Sequence, residues 1–557
     1  MQLNELLRRK DGHVDYQKLV FDYERNVDQT AAVLTRRPVA VVGAGPVGLS
    51  LAIDLAQRGV PVVLLDNDCT LSTGSRAICF AKRTLEIFDR LGCGDRMAEK
   101  GVSWSVGKVF FRSEQIYSFN LLPEAGHARP AFVNLQQYYV EGFLAERAAE
   151  LSLIDVRWKN AVSGAEQNDG YVTLTIDTPE GPYRLEVDYV AACDGGRSTM
   201  RKLLCLESKG RTFRDRFLIA DVRMKHEAPA ERWFWFDPEF HPNQSVLLHR
   251  QPDGVWRIDF QLGWDADPEE EKKPENVLPR VRALLAHSAM KNFDFELEWA
   301  SVYTFSCLRM DKFRHGRVLF AGDSAHGVSP FGARGANSGV QDADNLAWKL
   351  AAVLQKHAPD SLLDTYGVER EYAADENILN STRATDFITP KSEVSRLFRD
   401  AVLTLAKNQP FARTLVNSGR LSVPATLRDS TLNTPDVDAF DGSMVPGAPA
   451  ADAPVDLLGG SESWLLQQLG AGFTVLVAAS DAGNLKQING YGIDVKVVTV
   501  DSIKGDVIDK QGLLTKRYDL RPGTVYLLRP DQHICARWRT AGADDVGRAI
   551  RRALAVA

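Results

Sequence analysis

This sequence lacks the cysteine pairs that would indicate a disulfide framework or a metal centre. It has seven cysteines, an odd number, and they form no C-x-x-C and no metal-ligand spacing. They are Cys69, Cys79, Cys93, Cys193, Cys205, Cys307 and Cys535. Cysteines of this kind are typical of reduced thiols, so we expect a cytoplasmic protein without a metal site.

The chain also lacks a long apolar run and a surplus of basic residues. Its most apolar window, residues 39–56, contains Asp54 and several small turn-forming residues, so we expect no membrane span. The first ten residues are polar and charged, which predicts no secretory signal. Lys and Arg number 67 against 73 Asp and Glu, a net charge of −6, so nucleic-acid binding is not expected. The 557 residues allow two to four domains.

A glycine motif lies between the first predicted strand and the first predicted helix. Residues 38–42 read as a strand, and the motif G-A-G-P-V-G occupies residues 43–48. Gly43 makes the turn, Gly45 lets a pyrophosphate approach the backbone, and Gly48 lets helix and strand pack closely. Asp66, 23 positions after Gly43, ends the second strand and can accept hydrogen bonds from ribose hydroxyls. This context predicts a dinucleotide site.

Two later apolar runs also end in an acidic residue beside glycine. After a predicted meander whose last strand is 183–187, the run 189–193 leads into Asp194-Gly195. The run 318–321 leads into Gly322-Asp323, and a glycine-rich loop then opens an amphipathic helix. Free backbone N–H groups and the positive end of the helix dipole suit an anionic ring or a phosphate there. The alternative is a structural corner whose glycines only make the turn.

Residues 210–305 alternate apolar and polar side chains as an antiparallel sheet does. Aromatic residues, Trp235 among them, are dense in this stretch, and such a sheet laid over a cofactor would make a dry pocket. His249, Arg250 and Arg257 lie on the same predicted sheet. They would either pair with a substrate carboxylate or lie at solvated strand ends.

The last part of the chain predicts a separate small domain. Residues 430–455 are rich in Pro, Ala, Asp and Gly, which is typical of a linker or a wrapped connection. The β-α-β…β-β-α pattern that follows contains Cys535 as its one cysteine. Because one cysteine cannot run a dithiol cycle, we expect this domain to be structural.

Taken together, the three motifs resemble, in order and spacing, those of the single-component FAD-dependent aromatic hydroxylases. Arg76-Ala77 and Gln137–Glu141 match that family, and the tail resembles the thioredoxin-like third domain of its phenol hydroxylase and 3-(3-hydroxyphenyl)propionate hydroxylase branch. The resemblance implies an α/β fold with a Rossmann-type FAD-binding domain, an antiparallel β-sheet substrate domain and a thioredoxin-like domain without C-x-x-C. The expected boundaries are an N-terminal arm at 1–37, the FAD-binding domain at 38–205 and 306–430, the substrate domain at 206–305 with part of 100–135 joining its sheet, a linker at 431–455 and the last domain at 456–557. The arm departs from the family pattern, and we expect it to pack on the domain surface or against a second subunit.

The resemblance also implies an activity and residue roles. Members hydroxylate phenolic or other electron-rich aromatic substrates with O2 and NADPH or NADH through a flavin hydroperoxide, and we expect a homodimer. The cofactor-binding residues so implied are Gly43, Gly45, Pro46, Val47, Gly48, Asp66, Asn67, Arg76, Gln137, Asp194, Gly195, Gly322, Asp323, Gly332, Ala333, Arg334, Gly335, Ala336 and Asn337. Catalytic roles fall to Pro330, Arg334 and Gly335 along the flavin ring, and substrate contacts to His249, Arg250, Arg257, Trp235, Pro330 and Phe331.

Three other functions share part of this pattern. A nicotinamide dehydrogenase would use the first motif but would not need the other two. A tailoring flavoenzyme of the same scaffold, such as an epoxidase, halogenase or reductase, would use all three, although the W-x-W-x-I-P signature of tryptophan-type halogenases is missing. A non-catalytic flavin-binding module would consume no NAD(P)H with any aromatic compound.

Overall fold

The computed structural model describes most of the chain. The described residues are 15–31, 33–74, 76–225, 229–287, 293–416, 421–479 and 481–556. Residues 1–14 of the expected N-terminal arm lie outside this set.

A mostly parallel sheet, here called sheet A, forms the centre of the first unit. Its strands are Arg36–Val42, Val62–Leu65, Ile154–Arg157, Ala161–Gln167, Val172–Asp177, Tyr183–Ala192, Arg314–His315 and Val318–Phe320. Within the described chain, the main path runs in the order 314–315, 318–320, 183–192, 36–42, 62–65, 154–157. Strands 36–42, 62–65, 183–192 and 318–320 pair in parallel and end in buried apolar runs, as a sheet covered on both faces requires. Their carboxyl ends therefore meet at one edge.

Helices cover both faces of sheet A. They are Pro46–Gln57, Lys82–Leu91, Gly94–Lys100, Gln137–Glu150, Thr199–Leu203, Gly335–Leu354 and Leu362–Ile388. Two further helices, Glu393–Ala406 and Pro410–Leu415, pack instead against strand Glu114–Asn120, outside this sheet. Helices Pro46–Gln57 and Gly335–Leu354 approach closely, since a Cβ atom at Gly339 would lie 2.6 Å from Val47 Cγ2. This contact brings the loops before both helices to the same edge of the sheet. Single 3-10 turns occur at Tyr16–Lys18, Val27–Gln29, Pro252–Gly254, Gly322–Ser324 and Gly483–Gln487.

Sheet B lies over the carboxyl edge of sheet A. In spatial order its strands are His326–Gly327, Phe295–Met310, Ser208–Met224, Val255–Leu262, Ser245–Arg250, Arg232–Phe236, Val106–Phe111 and Glu114–Asn120. All pairs are antiparallel except 232–236 with 106–111. Side chains alternate between two faces, one packed on helix Pro274–Ala286, which follows the short helix Pro268–Glu271, and one turned toward sheet A. A small sheet of Cys79–Ala81, Phe132–Asn134 and Val102–Trp104 joins the two.

The C-terminal unit is built on sheet C. Its strands, in spatial order, are Glu462–Trp464, Pro454–Leu457, Val507–Ile508, Val495–Asp501, Phe473–Val477, Val525–Leu528 and Ile534–Trp538. Helices Leu465–Gln468, Leu513–Tyr518 and Ala543–Ala553 accompany it. The pattern of an α/β unit is therefore present, whereas the thioredoxin-like assignment stays a prediction. Cys535 is buried here, and burial raises the pKa of its thiol to about 12.

The connection before sheet C is wrapped onto that sheet. Thr434 N–H donates to Cys535 O, and Gly447 N–H donates to Ile534 O. Met444 and Ala450 are buried in the core of the unit. The Pro- and Gly-rich composition therefore makes an extended segment that packs along the domain.

The described part of the N-terminal arm packs on the first unit. Tyr16 and Phe21 are buried in the core around sheet A, and Phe21 stacks on Trp158 with ring centroids 4.1 Å apart. The buried Asp28 carboxylate pairs with Arg37 and Arg157. The arm thus covers the edge of the sheet within its own chain.

One strand differs from the sequence-based expectation. The two predicted strands 183–187 and 189–193 form the single strand Tyr183–Ala192. Asp188 at their junction points outward and pairs with Arg36, so its charge does not interrupt the backbone pairing.

None of the described helices has the length and apolar character needed to cross a bilayer. The described residues also contain no cluster of His, Cys, Asp and Glu suited to a metal ion.

Candidate cofactor and substrate site

A cavity of about 1360 Å³ lies between the carboxyl edge of sheet A and one face of sheet B. It is lined on one side by the residues that follow the parallel strands, including Gly45, Asp66, Asp194 and Asp323. Ligands of open α/β sheets bind at this edge. The structure thus brings the three predicted motifs to one cavity.

The three glycines of the first motif, Gly43, Gly45 and Gly48, lie in different local environments. Gly43 has φ +104°, and a Cβ there would lie 2.5 Å from Cys193 O. A Cβ at Gly48 would lie 1.8 Å from Gly43 O. At Gly45, the residue before helix Pro46–Gln57, a Cβ would meet no atom of the described residues within 4 Å. The first and third glycines therefore close the turn, and the second leaves open space in front of a helix N-terminus.

Asp66 lies at the end of strand Val62–Leu65 and faces this space. Its Oδ2 accepts from Ala44 N–H at 2.6 Å, and its Oδ1 accepts from Asp68 N–H at 2.8 Å. Burial raises the pKa of this carboxyl group, and the two backbone N–H groups oppose that rise. Each oxygen keeps a lone pair, so Asp66 can also accept from a ribose hydroxyl. Asn67 lines the cavity beside it.

Gln137 and Glu141 hold the loop that carries Arg76. Ala77 N–H donates to Gln137 Oε1 at 3.0 Å, and Gln137 Nε2 donates to Glu141 Oε1 at 2.7 Å. Glu141 Oε2 accepts from Ser72 N–H at 2.7 Å. Arg76 itself is exposed and borders the cavity. Its guanidinium is therefore available to an anionic ligand, whereas Gln137 already shapes the loop.

Asp194 ends the middle strand of the edge. Its Oδ2 accepts from Met200 N–H at 2.9 Å. Its Oδ1 is buried and has no hydrogen-bond partner among the described residues. Gly195 follows with φ +75°, and no atom of the described part of the chain lies within 4 Å of its Cβ position. A buried acceptor beside open space fits a hydroxyl-bearing cofactor.

The third motif is fixed by a buried carboxylate, Asp342. Its Oδ2 accepts from Gly322 N–H at 2.9 Å and contacts His326 Nε2 at 2.7 Å, while Arg370 Nε donates to its Oδ1 at 2.6 Å. Burial opposes the charge of Asp342, but His326 and Arg370 outweigh it and keep the pKa of Asp342 below its usual value. Asp323, next to Gly322, borders the cavity. Desolvation and the nearby Asp342 carboxylate raise the pKa of its carboxyl group.

The loop that follows places an aromatic side chain against sheet B. Phe331 is buried, and its ring lies 4.7 Å from that of Phe217 and 5.5 Å from that of Phe305. Pro330 is exposed to the cavity. The loop therefore forms the seam between the cofactor side and the sheet B side.

Arg334 does not reach solvent. Its side chain is 3% exposed, its Nη1 donates to Phe331 O at 3.1 Å, and it folds over Gly332, where a Cβ would lie 1.7 Å from Nη1. Gly332 has φ +109°, which suits glycine. The cation is thus held inside the loop at the start of helix Gly335–Leu354.

Asn337 locks the loop to the small sheet. Its Oδ1 accepts from Ala81 N–H at 2.8 Å, and its Nδ2 donates to Cys79 O at 2.8 Å. Ala333, Gly335 and Ala336 line the cavity around it. The side chain of Asn337 is therefore occupied within the protein, and its neighbours present backbone to the cavity.

Polar side chains form a row across the cavity face of sheet B. Arg232 pairs in register with His249, and His249 with Arg257. Arg257 Nε donates to Asp259 Oδ1 at 2.9 Å, and its Nη1 donates to Arg76 O at 3.0 Å. Burial, with Arg232 and Arg257 nearby, keeps the pKa of His249 well below its usual value, so His249 is neutral.

Two predicted substrate residues lie away from the cavity. Trp235 is buried on the opposite face of sheet B, in the core with helix Pro274–Ala286. Arg250 follows His249 and, by the alternation of a strand, points to that face as well. We therefore do not include them in the site.

Sequence reasoning missed Arg232, Asp259 and Tyr303, which all line the cavity. Arg232 is two residues from Phe234 in the strand Arg232–Phe236, and period-two alternation could have placed both on one face. Which face meets sheet A is not visible in that alternation. This choice depends on tertiary packing.

The fold and the site define a class of protein. Two sheets enclose a cavity with a dinucleotide edge on one side and an aromatic face on the other, and the open Gly45, the unpaired Asp194 Oδ1 and the volume fit FAD. The sequence model of the FAD binding domain family matches residues 36–381. The chain belongs to this family.

Individual relatives agree with this assignment. The chain is 28% identical over 561 residues to the 3-(3-hydroxy-phenyl)propionate/3-hydroxycinnamic acid hydroxylase of Mycobacterium sp. (strain KMS), with 94% of this chain and 92% of the relative covered. It is 29% identical over 516 residues to the probable NADH-specific resorcinol 4-hydroxylase of Rhodococcus jostii (strain RHA1), covering 90% and 92%. The structure of the flavin-dependent monooxygenase PieE with FAD and substrate matches with TM-score 0.77 and 22% identity, covering 94% and 99%. At 22% identity, the similarity to PieE shows a shared fold.

These findings confirm several expectations. The α/β flavoprotein fold of the aromatic-hydroxylase type, FAD as the cofactor, and the class of FAD-dependent aromatic hydroxylases are confirmed. The site residues and the domain boundaries stay predictions.

Proposed function

We propose that this protein hydroxylates a phenolic ring with O2 and NAD(P)H. One oxygen atom replaces a ring hydrogen as a hydroxyl group, the other leaves as water, and NAD(P)H with a proton supplies the two electrons. The observation that carries this proposal is a single cavity that joins the dinucleotide edge of sheet A to the aromatic face of sheet B. A nicotinamide dehydrogenase would need only the dinucleotide edge of sheet A.

We assign the cofactor to the edge of sheet A. Gly43, Gly45 and Gly48, with Pro46 and Val47 opening the helix, would hold the pyrophosphate at the helix N-terminus. Asp66 would accept from the adenosine ribose, with Asn67 beside it. Arg76, Gln137, Asp194 and Gly195 would border the phosphates and the ribityl chain, and Gly322 and Asp323 would follow along it. When bound, FAD supplies the redox chemistry that connects NAD(P)H, O2 and the ring.

The loop from Pro330 to Gly335 has two tasks in this proposal. Its backbone and the start of helix Gly335–Leu354 would offer hydrogen-bond donors and a positive dipole that stabilise the negative charge of a reduced flavin ring. Phe217, Phe305 and Phe331 pack together beside it and exclude water from the reacting atoms. The chain thus positions the cofactor and the substrate, stabilises negative charge on the reduced ring and keeps water out of the site.

The test is a coupled assay on the purified holoenzyme. Phenol, resorcinol, 4-hydroxybenzoate and 3-(3-hydroxyphenyl)propionate are added in turn with NADH or NADPH under ¹⁸O2, and hydroxylated product is identified by mass. We expect at least one phenol to stimulate NAD(P)H oxidation and to gain one ¹⁸O atom. Catalase in a parallel assay measures hydrogen peroxide. NAD(P)H consumption that yields only peroxide with every phenol would refute a hydroxylase and favour a redox module.

We further propose that the protein acts as a homodimer in the cytoplasm, with the domain boundaries set out above. The support for a dimer is an apolar strip on helix Glu393–Ala406, where Val394, Leu397 and Phe398 are 77%, 72% and 58% exposed. All seven cysteines are free, in keeping with a reducing compartment. Sedimentation of wild type and of Leu397→Glu tests the dimer. A wild-type monomer at micromolar concentration contradicts it.

A further inference from the structure

Arg232 is a buried cation that the described structure leaves without a partner. Its residue exposure is 6%, its side chain lines the cavity, and its Nε has no hydrogen-bond partner among the described residues. No carboxylate of the described chain lies within ion-pair distance of it. A guanidinium taken out of water without an anion is strongly unfavourable, so an arginine held this way indicates a site that an anion completes.

The neighbours of Arg232 on sheet B do not supply that anion. His249, its partner in register, is neutral, and its Nδ1 lies 4.0 Å from Cys79 Sγ. Arg257, the next residue of the row, forms an ion pair with Asp259, in which Arg257 Nε donates to Asp259 Oδ1 at 2.9 Å. On the other side, Arg232 is in register with Gly107, which has no side chain. The two arginines of the row therefore differ: Arg257 is neutralised within the protein, and Arg232 is not.

Burial also acts on the guanidinium itself. It lowers the pKa of Arg232 below its usual value, and the charge interactions with Cys79 and Asp259 compensate only in part. Arginine remains charged at neutral pH in any case. The cation therefore persists and raises the affinity of the cavity for a negative group.

We propose that Arg232 binds the carboxylate of the substrate, so that the substrate is a phenol that carries an acidic side chain. This inference rests on the proposed function and names the substrate class of the same site. A planar guanidinium matches a carboxylate in a two-hydrogen-bond geometry. A dianionic group such as a phosphate is disfavoured, because the Asp259 carboxylate lies on the same face, 3.8 Å from His249 Nε2.

The register of sheet B sets the length of the substrate. Leu247 lies on the cavity face, on the strand next to Arg232 and one side-chain step from the Arg232 row, and each step of two residues spans about 7 Å. A ring against Leu247 would thus place a carboxylate on a short alkyl chain at Arg232. The ring would then lie between the row and the Phe331 loop.

Binding to the oxidised holoenzyme tests this proposal without turnover. The probes are 3-(3-hydroxyphenyl)propionate and its primary amide, and the readout is the change in flavin absorbance. We expect wild type to bind the acid at least about tenfold tighter than the amide, because a hydrogen bond to a charged group is worth that much or more. In Arg232→Gln this ratio should fall to about one, and in Arg232→Lys it should be partly restored. Arg250→Gln is the matched control on the opposite face of the neighbouring strand, and its ratio should match wild type.

Each other outcome overturns the proposal. Equal affinity of wild type for acid and amide excludes an anion receptor. An equal loss for both ligands in Arg232→Gln makes Arg232 a structural residue, and loss of bound FAD in that variant assigns it to the cofactor. If Arg232→Gln does not fold, the acid-to-amide ratio of wild type and of Arg232→Lys still decides. Hydroxylation of the amide or of resorcinol without any preference for the acid would leave the proposed function intact and refute this inference alone.

Discussion

Gly45 and Gly48 lie three residues apart and lack a side chain for different reasons. A Cβ at Gly48 would collide with the Gly43 carbonyl, whereas a Cβ at Gly45 would enter open space in front of a helix N-terminus. The missing side chain at Gly48 is required by the fold, and the missing side chain at Gly45 leaves room for the ligand. Substitutions at the two positions should therefore separate stability from cofactor binding.

We predict that Gly45→Val folds as the apoprotein but binds FAD at least about a hundredfold more weakly, because the side chain fills the space of the pyrophosphate. Gly48→Ala should instead lose about 1–3 kcal/mol of stability through overpacking. The measurements are urea unfolding of the apoprotein and fluorescence titration with FAD. Full FAD occupancy in Gly45→Val would mean that the pyrophosphate lies elsewhere.

Asp66 combines a structural and a binding role. We predict that Asp66→Ala weakens FAD binding about tenfold to hundredfold, since a hydrogen bond to a charged group contributes roughly 1.5–3 kcal/mol. Asp66→Asn keeps one acceptor oxygen for Ala44 N–H or for the ribose, so its loss should be smaller. Titration of both apoproteins with FAD gives the order. An unchanged affinity in Asp66→Ala contradicts the ribose assignment.

At the scale of elements, the loop between Val318–Phe320 and Gly335–Leu354 is a rigid unit. Asn337 ties its end to strand Cys79–Ala81, Arg334 closes over Gly332, and Phe331 packs on sheet B. The helix N-terminus and the Arg334 cation are both fixed at the cavity. Their field acts on whatever lies against the loop.

We predict that Arg334→Gln lowers the flavin reduction potential by about 30 mV, which equals ~1.4 kcal/mol for a two-electron couple, and slows reduction by NAD(P)H. The cause is loss of a buried positive charge beside the reduced, anionic ring. Potentiometry and stopped-flow reduction measure the two effects. Arg314→Gln is a control, because that arginine pairs with Asp360 and Asp364 on the outer surface. Equal potentials in Arg334→Gln and wild type would place the ring away from this loop.

At the scale of the whole molecule, a buried ionic network joins the C-terminal unit to the first unit. Arg529 Nη1 donates to Glu369 Oε1 at 2.6 Å, and Lys349 Nζ donates to Glu369 Oε2 at 2.7 Å. Arg529 also pairs with Asp531, and Arg83 Nη2 donates to Asp531 O at 2.6 Å. Lys349 lies on the helix that begins at the Phe331 loop, so the C-terminal unit braces that helix.

We predict that Glu369→Gln destabilises the protein by about 3–5 kcal/mol, because it leaves Lys349 buried without its counter-ion. Asp364→Asn, on the same helix, changes a carboxylate that is 68% exposed in its pair with Arg314 and should cost at most about 1 kcal/mol. Urea midpoints of the two variants give the comparison. Similar midpoints would mean that the network contributes no more than a surface pair.

The second contact between the units is sensitive to pH. Burial, Lys82 and Arg517 lower the pKa of His127 to about 4, and Arg517 Nη2 lies 3.2 Å from His127 Nε2. The unfolded chain binds a proton at this histidine near pH 6.5, and the folded chain does not until about pH 4. Stability from this group is therefore complete above pH 6.5 and falls as the pH decreases toward 4.

We predict that the melting temperature of wild type falls more between pH 7.5 and pH 5.5 than that of His127→Gln. The difference between the two proteins isolates His127 from the carboxylates that titrate in both. Calorimetry at the two pH values provides the measurement. Parallel changes in wild type and variant would show that His127 is protonated equally in the folded and unfolded chain.

The local elements of the site followed from the sequence because they depend on short-range chemistry. A glycine with positive φ at residue 43, an apolar run ending at Asp66 and a glycine-rich loop before an amphipathic helix are patterns within about twenty-five residues. That the strands are parallel, with carboxyl ends at one edge, follows from the order of strands and helices. The position of the cofactor edge was therefore predictable.

The substrate side could not be obtained in this way. His249 and Arg250 are adjacent in sequence, yet one lines the cavity and the other lies on the opposite face, because successive side chains of a strand point to opposite faces. Arg232 joins His249 and Arg257 only through pairing between strands that lie up to 25 positions apart in the chain. Whether a buried arginine is neutralised depends on which carboxylates the packing brings near it, as Asp259 does for Arg257. Short-range patterns determine the backbone that faces the cofactor, whereas the charge that faces the substrate is decided by long-range strand pairing.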